Sequence, residues 1–94
     1  MTTINVSGFL TDFTSGKHVI ELDASPATVG QALEHLWQLY PGLRDRVLTE
    51  RGEVRRHVNV FIADENIRRR DLLNTELTDN SEITILPSVS GGSK

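Results

Sequence analysis

The chain contains no cysteine among its 94 residues. It therefore has no disulfide framework, no thiolate nucleophile and no cysteine ligand for a metal. No apolar run approaches the length of a membrane span, and residues 1–7 lack the basic start and apolar block of a secretory signal, so we expect a cytoplasmic location. The formal net charge is -3 and the isoelectric point is near 5.5. This balance argues against a nucleic-acid partner and against an anionic membrane surface.

Motifs for catalysis and metal binding are also missing. The three histidines, His18, His35 and His57, fall on separate predicted elements and lack H-x-x-x-H spacing, so no metal site is predicted. No serine stands in a nucleophile elbow. A chain of this length closes only a modest apolar core, which argues against a buried substrate pocket. We predict a non-enzymatic protein with no catalytic residues and no bound cofactor, which binds through its surface or its tail.

Two kinds of hydrophobic periodicity divide the chain. Alternation with a period of two, typical of a strand with one buried face, recurs along it, while spacing by three and four residues occurs in one long segment. Thr28 and Gln31 have the spacing of a capping box at the start of that segment, and Pro41 with Gly42 should end it. The predicted elements are strands over Thr3 to Leu10, His18 to Leu22, His57 to Ala63, Ile67 to Arg68 and Glu82 to Leu86, a helix from Thr28 to Pro41, a short helical turn within Leu43 to Leu48, and an apolar connector over Asp71 to Leu77 that plugs the core.

This order of elements defines the predicted fold class. An N-terminal hairpin, one crossing helix and a last strand that must pair with the first give the ubiquitin-like β-grasp arrangement. We therefore predict an α+β fold, with a mixed four- to five-stranded sheet and one main helix packed on one face. The strand from His57 to Ala63 is expected at its centre, and Ile20 and Leu22 are expected to face inward. Residues 1–87 should form this domain, and residues 88–94 should form a flexible tail.

Two basic clusters and one aromatic residue are candidates for partner docking. Arg55 to Arg56 and Arg68 to Arg70 would form one patch for partner carboxylates if the strands that they flank are neighbours. The alternative is that both arginine clusters are ordinary solvent-exposed surface. Phe61 is either an exposed anchor on an open sheet face or a side chain packed beneath the long loop or the tail. The predicted docking residues are Phe61, Arg56, Arg68 and Val89.

The last seven residues, Ser88 to Lys94, follow Pro87 and carry nothing that would anchor them in a core. Gly91 and Gly92 give a thin backbone that can enter a channel too narrow for any Cβ atom. A frayed terminus or the remnant of a tag is the alternative interpretation. The glycine pair alone cannot decide between these possibilities, so its significance depends on the segments that precede it.

Three segments carry a family resemblance that spans most of the chain. They are T-V-G-Q-A-L from Thr28 to Leu33, H-V-N-V-F-I-A-D-E-N-I-R from His57 to Arg68, and D-N-S-E-I-T-I-L-P-S-V-S-G-G from Asp79 to Gly92. Together they are similar to the ThiS/MoaD sulfur-carrier family, and most similar to the branch whose carrier supplies sulfur for cysteine synthesis. The ending, placed after a strand and a turn, is the specific part of the resemblance.

The resemblance implies a chemistry for the tail. In this family the C-terminal glycine carboxylate, which corresponds to Gly92, attacks the α-phosphate of ATP held by a ubiquitin-activating-like adenylating enzyme. Sulfide or a persulfide then displaces AMP, and the resulting thiocarboxylate donates its sulfur in a second, sulfur-accepting enzyme of cysteine, thiamin or molybdopterin biosynthesis. ATP and the sulfur source are used by the activating partner, so the carrier itself binds no cofactor.

Ser93 and Lys94 depart from the simplest family pattern, because they follow the glycine pair. Some family members carry a short extension that a JAMM-type zinc metalloprotease removes, so the resemblance implies a precursor that must lose two residues. Two other functions remain open. The chain could be a ubiquitin-like modifier conjugated through Gly92, or a small non-activated subunit of a molybdopterin-synthase-like complex. We expect the free protein to be a monomer.

Overall fold

The alternating segments of the sequence form the strands of one sheet. The computed structural model describes residues 2–23, 25–78 and 81–87. Its strands are β1 (Thr2–Val6), β2 (Val19–Leu22), β3 (Val58–Ile62), β4 (Glu65–Asn66) and β5 (Glu82–Pro87). They lie in the order β2-β1-β5-β3-β4, with β5 parallel to β1 and the other neighbouring pairs antiparallel. The mixed sheet and the pairing of the last strand with the first confirm the predicted fold class.

One face of the sheet is covered and the other is open. Ile20 and Leu22 are buried while Glu21 between them is exposed, which confirms the predicted inward face of the second strand. Because successive side chains of a strand point to opposite faces, the same alternation fills the core from three other strands. The strand residues that are at most 1% exposed are Ile4, Val6, Val60, Ile83 and Ile85.

The main helix, α1 (Val29–Leu39), begins where the capping pattern predicts. The Thr28 hydroxyl accepts a hydrogen bond from the Gln31 backbone N–H at 3.2 Å, and the Gln31 side-chain oxygen accepts one from the Ala27 N–H at 2.9 Å. The first bond satisfies a backbone donor that the first helical turn leaves without a partner, and the second ties the residue before the N-cap to the helix. Val29, Ala32, Leu33 and Leu36 form the buried stripe of the helix.

The predicted end of the first helix at Pro41 and Gly42 is confirmed, and the short helical turn predicted within Leu43 to Leu48 is part of a longer second helix. The first helix does stop before Pro41, and the Tyr40 N–H donates to the Leu36 carbonyl at 2.9 Å. However, Pro41 is the first residue of a second helix, α2 (Pro41–Val47), rather than only a terminator. Proline suits a first helical position because its fixed φ is helical and its missing N–H would have no partner there. Leu43 and Val47 of this helix are fully buried.

The first predicted strand is too long. It ends at Val6, and a 3₁₀ helix spans Gly8–Phe13. Gly8 has a φ of 67°, which leaves the extended region and turns the chain out of the sheet. The prediction of β3 as the central strand is also wrong, because β5 occupies the centre. Both strands alternate between buried and less buried residues, so their order depends on pairing partners that the periodicity does not reveal.

The segment after β3 also differs from its prediction. Glu65–Asn66, which lies between two predicted strands, is itself strand β4, while Ile67 and Arg68, expected as a strand, begin a 3₁₀ helix that ends at Arg69. Ala63, with a φ of 54°, makes the tight reversal between β3 and β4. The connector that follows does pack Leu73 and Leu77 against the core, as predicted. No helix within the described ranges is long and apolar enough to cross a membrane.

Candidate functional site

Strand β5 ends at Pro87, which is the last described residue before the predicted tail. Pro87 lies opposite Val58 at the start of β3, and on its other side it meets the turn after β1. A Cβ atom added to Gly8 would lie 2.8 Å from Cγ of Pro87, closer than real Cβ contacts. The Ser7 N–H donates to the Ile85 carbonyl at 3.2 Å, which ties the same turn to β5. The base of the tail is therefore held between two neighbouring segments.

Arg68 holds the segment that leads into β3. Its guanidinium donates to the carbonyls of Arg55 and Val58, each at 2.9 Å, and to the side-chain oxygen of Asn59 at 2.8 Å. The amide of Asn66 donates to the same Asn59 oxygen at 3.2 Å. Because Val58 pairs with Pro87, these bonds fix the strand start on which the base of the tail rests. Arg68 thus supports the site through the backbone.

The two predicted arginine clusters do meet, although not as one open patch. Arg68 reaches the Arg55 carbonyl, and Arg55 itself donates from Nε to the Asp45 carbonyl at 2.8 Å. Arg70 pairs with Glu65 at 3.0 Å. Within the described residues, the side chain of Arg56 has no hydrogen bond or ion pair, so its guanidinium is available to a partner. The docking roles predicted for Arg56 and Arg68 stay predictions.

Phe61 lies on β3, on the face opposite Val60. It is half-buried, and it pairs with Thr84 on one side and with Asn66 on the other. The open face around it is polar, since Asn5 donates to the carboxylate of Glu82 at 2.9 Å. Its placement agrees with an aromatic on the open face, while its role in docking remains a prediction.

The sequence interpretation missed Phe9, which is 57% exposed. Phe9 lines a groove of about 710 Å³ together with Arg56, His57 and Val58. We call this cavity the Phe9 groove. It adjoins the base of the tail, because Phe9 follows Gly8 and because Val58 pairs with Pro87. The signal that could have found it is Gly8, which occupies the next inward position after Ile4 and Val6 and so interrupts the apolar alternation just before Phe9.

Several predicted site residues lie outside the described residues. They are Val89, Gly91, Gly92, Ser93 and Lys94, together with the rest of the predicted tail and the turn residues Asp79 and Asn80. In the part of the chain that the structure does describe, no group of three histidine or acidic side chains could hold a metal ion. What the described residues provide is a fixed base for the chain that leaves β5.

The five-stranded sheet and its crossing helix define a ubiquitin-like β-grasp protein. The family model described as "ThiS family" matches residues 4–92, and the chain belongs to this family. The curated "Sulfur carrier protein CysO" of Mycobacterium tuberculosis is 32% identical over 92 residues, which cover 96% of this chain and 97% of that protein. "Small archaeal modifier protein 3" of Haloferax volcanii is 39% identical over 66 residues, 70% of this chain and 71% of that one.

A solved structure shows the same architecture. The chain matched in the BexX/CysO complex of Amycolatopsis orientalis superposes with a TM-score of 0.87 at 30% identity. The match covers 98% of this chain and 100% of that one. The likeness therefore extends over the whole β-grasp fold rather than over one supersecondary unit.

Proposed function

We propose that this protein is a sulfur carrier that works through the carboxylate of Gly92. The observation that carries the proposal is the extent of the family match, which reaches residue 92 and stops before Ser93 and Lys94. Relatives named as sulfur carrier proteins support the same function. The fixed base at Pro87 is consistent with it, because a carrier must present its reacting end at a defined place on a partner.

The proposed chemistry has two steps. The Gly92 carboxylate oxygen attacks the α-phosphate of ATP, pyrophosphate leaves, and an acyl adenylate forms. Sulfide then attacks the acyl carbon, the bond to the AMP oxygen breaks, and a thiocarboxylate with AMP results. The chain contributes the nucleophilic carboxylate and a side-chain-free approach at Gly91 and Gly92, while the adenylating partner supplies the catalysis.

We further propose that residues after Gly92 must be removed first, since adenylation needs a free carboxylate on that glycine. A zinc metalloprotease of the JAMM type is the proposed processing partner. The thiocarboxylate would then serve a sulfur-accepting biosynthetic enzyme. These partners are proposed from the family resemblance, and a cytoplasmic location is proposed with them.

Intact-protein mass spectrometry tests both parts of this proposal. The 94-residue chain and a chain ending at Gly92 are each incubated with the cognate adenylating enzyme, ATP and sulfide. We expect the shorter chain to gain the mass of one oxygen-to-sulfur exchange and the longer chain to remain unchanged. Equal conversion of the two chains would overturn the requirement for processing, and no conversion of the shorter chain would overturn the carrier function.

Conjugation to other proteins is a second candidate function. The observation that favours it is the identity of 39% with small archaeal modifier protein 3 over 66 residues. In this function a lysine amine, instead of sulfide, would displace AMP from activated Gly92 and form an isopeptide bond. Cells that express the chain would then contain lysine adducts ending in Gly-Gly, whereas a dedicated carrier would yield the thiocarboxylate without such adducts.

A further inference from the structure

The Phe9 groove combines an exposed aromatic side chain with the base of the tail. Phe9 is 57% exposed, although the adjacent Leu10 is fully buried in the same 3₁₀ helix. Val54 and Val58 contribute apolar surface to the groove, which has a volume of about 710 Å³. A single exposed phenylalanine is ordinary, but an aromatic beside an apolar cleft is the usual form of an anchor point for a protein partner.

The groove carries a local charge opposite to that of the whole chain. Arg46, Arg55 and Arg56 line it together with Asp45 and Glu53, so three arginines against two carboxylates leave one net positive charge before His57 is counted. The formal charge of the chain is -3. At physiological ionic strength the screening length is about 8 Å, so a partner surface at the groove responds mainly to the local charge.

Arg56 is the cation of the groove with most freedom to bind outward. Arg55 is hydrogen-bonded to the Asp45 carbonyl, and Arg46 stands over the ring of Phe13 at 4.8 Å from its centroid. Among the residues that the structure describes, Arg56 has no such side-chain partner. A guanidinium with open donors binds carboxylates in a paired geometry, which makes an acidic side chain its natural complement.

The length of the tail limits which part of a partner enzyme can contact the Phe9 groove. Five residues, Ser88 to Gly92, follow Pro87 up to the proposed reacting carboxylate. Fully extended, they span about 17 Å. The nucleotide must lie near the far end of that span, so the groove at its near end faces the outer rim of the partner's channel. The complement of the groove is therefore a protein surface and not the phosphates of ATP.

We propose that the Phe9 groove docks the channel rim of the enzyme that activates Gly92, through an acidic side chain on Arg56 and an apolar side chain against Phe9. This inference rests on the proposed function, because it assumes such an enzyme. It assigns two separable roles. Arg56 accelerates and orients the encounter, since rim charges act mainly on association, while Phe9 slows dissociation, since buried aromatic contacts act mainly on residence time.

Binding kinetics of the full 94-residue chain with the cognate adenylating enzyme test the proposal. Association and dissociation rates are measured at about 0.1 M and about 1 M salt, where the screening lengths are about 10 Å and 3 Å. We expect Arg56→Glu to slow association about tenfold at low salt, with the difference largely lost at high salt. We expect Phe9→Ala to speed dissociation about tenfold at both salt concentrations.

The matched control is Arg69→Glu, which makes the same charge change at the opposite end of β3. Arg69 lies in the 3₁₀ helix that follows β4 and is exposed, so its variant should change neither rate by more than about twofold. Equal effects of Arg56→Glu and Arg69→Glu, or an unaltered dissociation rate for Phe9→Ala, would overturn the docking surface while the carrier function stands. If the 94-residue chain does not bind the enzyme, the same variants are measured in the chain that ends at Gly92. Failure of that chain to bind would overturn both the docking surface and the proposed activation.

Discussion

The two ends of the sheet are closed in different ways. At the end where β5 finishes, Pro87 meets Gly8, and Arg68 binds the carbonyls of Arg55 and Val58, so residues from distant parts of the chain hold one another. At the end where β5 begins, the side chain of Ser81 bonds to the nearby Thr78. The contacts with distant residues there are backbone bonds from the Thr3 N–H to the Ser81 carbonyl and from the Ala63 N–H to the Glu82 carbonyl, each at 3.1 Å, and the bond from the Asn5 amide to Glu82. Both ends are therefore tied to distant parts of the chain, but within the described residues the first end adds the close packing of Gly8 on Pro87 and the three bonds of the Arg68 side chain. These contacts hold Pro87, the last described residue of β5, in place.

Among the substitutions considered, Gly8→Ala should give the largest loss of stability, at the end of the sheet where β5 finishes. The new Cβ atom would lie 2.8 Å from Cγ of Pro87, and the φ of 67° is unfavourable for a side chain. Left-handed strain of about 1–2 kcal/mol and overpacking of about 1–3 kcal/mol together predict a decrease of about 2–5 kcal/mol in the free energy of unfolding. Chemical denaturation measures this change directly.

Gly16→Ala is the control for that substitution. Gly16 also has a positive φ, of 80°, but a Cβ atom there meets nothing within 4 Å. Its cost should be the strain alone, about 1–2 kcal/mol. The difference between the two variants isolates the contact with Pro87. Equal decreases in the free energy of unfolding for the two variants would show that Pro87 moves aside freely. The contact with Gly8 would then not hold the base of the tail.

Arg68→Ala should have the next largest effect. It removes three hydrogen bonds, to the Arg55 and Val58 carbonyls and to Asn59, from a side chain that is partly open to solvent. Because water can replace part of these bonds, we expect a loss of about 1–2 kcal/mol in the free energy of unfolding. Arg68→Lys should recover less than half of it, since a lysine ammonium cannot span the same three acceptors.

Arg69→Ala is the matched control, because Arg69 is exposed and has no side-chain partner among the described residues. We expect its effect on unfolding to stay within about 0.5 kcal/mol. If Arg68→Ala were equally mild, Arg68 would be one more solvated arginine, and the support of β3 would have to come from the strand pairing alone.

The fold class was predicted from local patterns together with the family resemblance, and the local signals lie within a few residues of each other. The bond between the Thr28 hydroxyl and the Gln31 N–H spans three positions, and the inward pair Ile20 and Leu22 spans two. The second helix was predicted only as a short turn within Leu43 to Leu48, and its start at Pro41 was missed. Pro41 was interpreted as a terminator, although the same residue also suits a first helical position.

The arrangement of the tail end could not be predicted, because it depends on distant contacts. Nothing near Arg68 in the sequence shows that its guanidinium binds the carbonyls of Arg55 and Val58. Gly8 interrupts the alternation of β1, but no residue near it in the sequence shows that it contacts Pro87 or that Phe9 beside it is exposed. For the same reason, periodicity did not distinguish the central strand from its neighbour.

Ser81→Ala should affect the free energy of unfolding less than Gly8→Ala or Arg68→Ala does. It tests the end of the sheet where β5 begins. The Ser81 hydroxyl donates to the Thr78 carbonyl at 2.7 Å and accepts from the Thr78 N–H at 2.9 Å. Its loss should lower the free energy of unfolding by about 1 kcal/mol, because Thr78 is exposed and water can satisfy its backbone groups. Ser25→Ala, at an exposed position, is the control and should change unfolding by less than about 0.5 kcal/mol.

Ser81→Ala also separates the effect of general stability on partner binding from the effect of the contacts around Pro87. Its hydroxyl contacts lie at the start of β5, a strand length away from Pro87. At a temperature where all variants are folded, we therefore expect its association with the activating enzyme to match that of the unaltered chain, whereas Gly8→Ala should weaken it. A similar loss of binding in both variants would mean that any destabilisation of β5 misdirects the chain beyond Pro87. The contacts around Gly8 would then have no special part in presenting it.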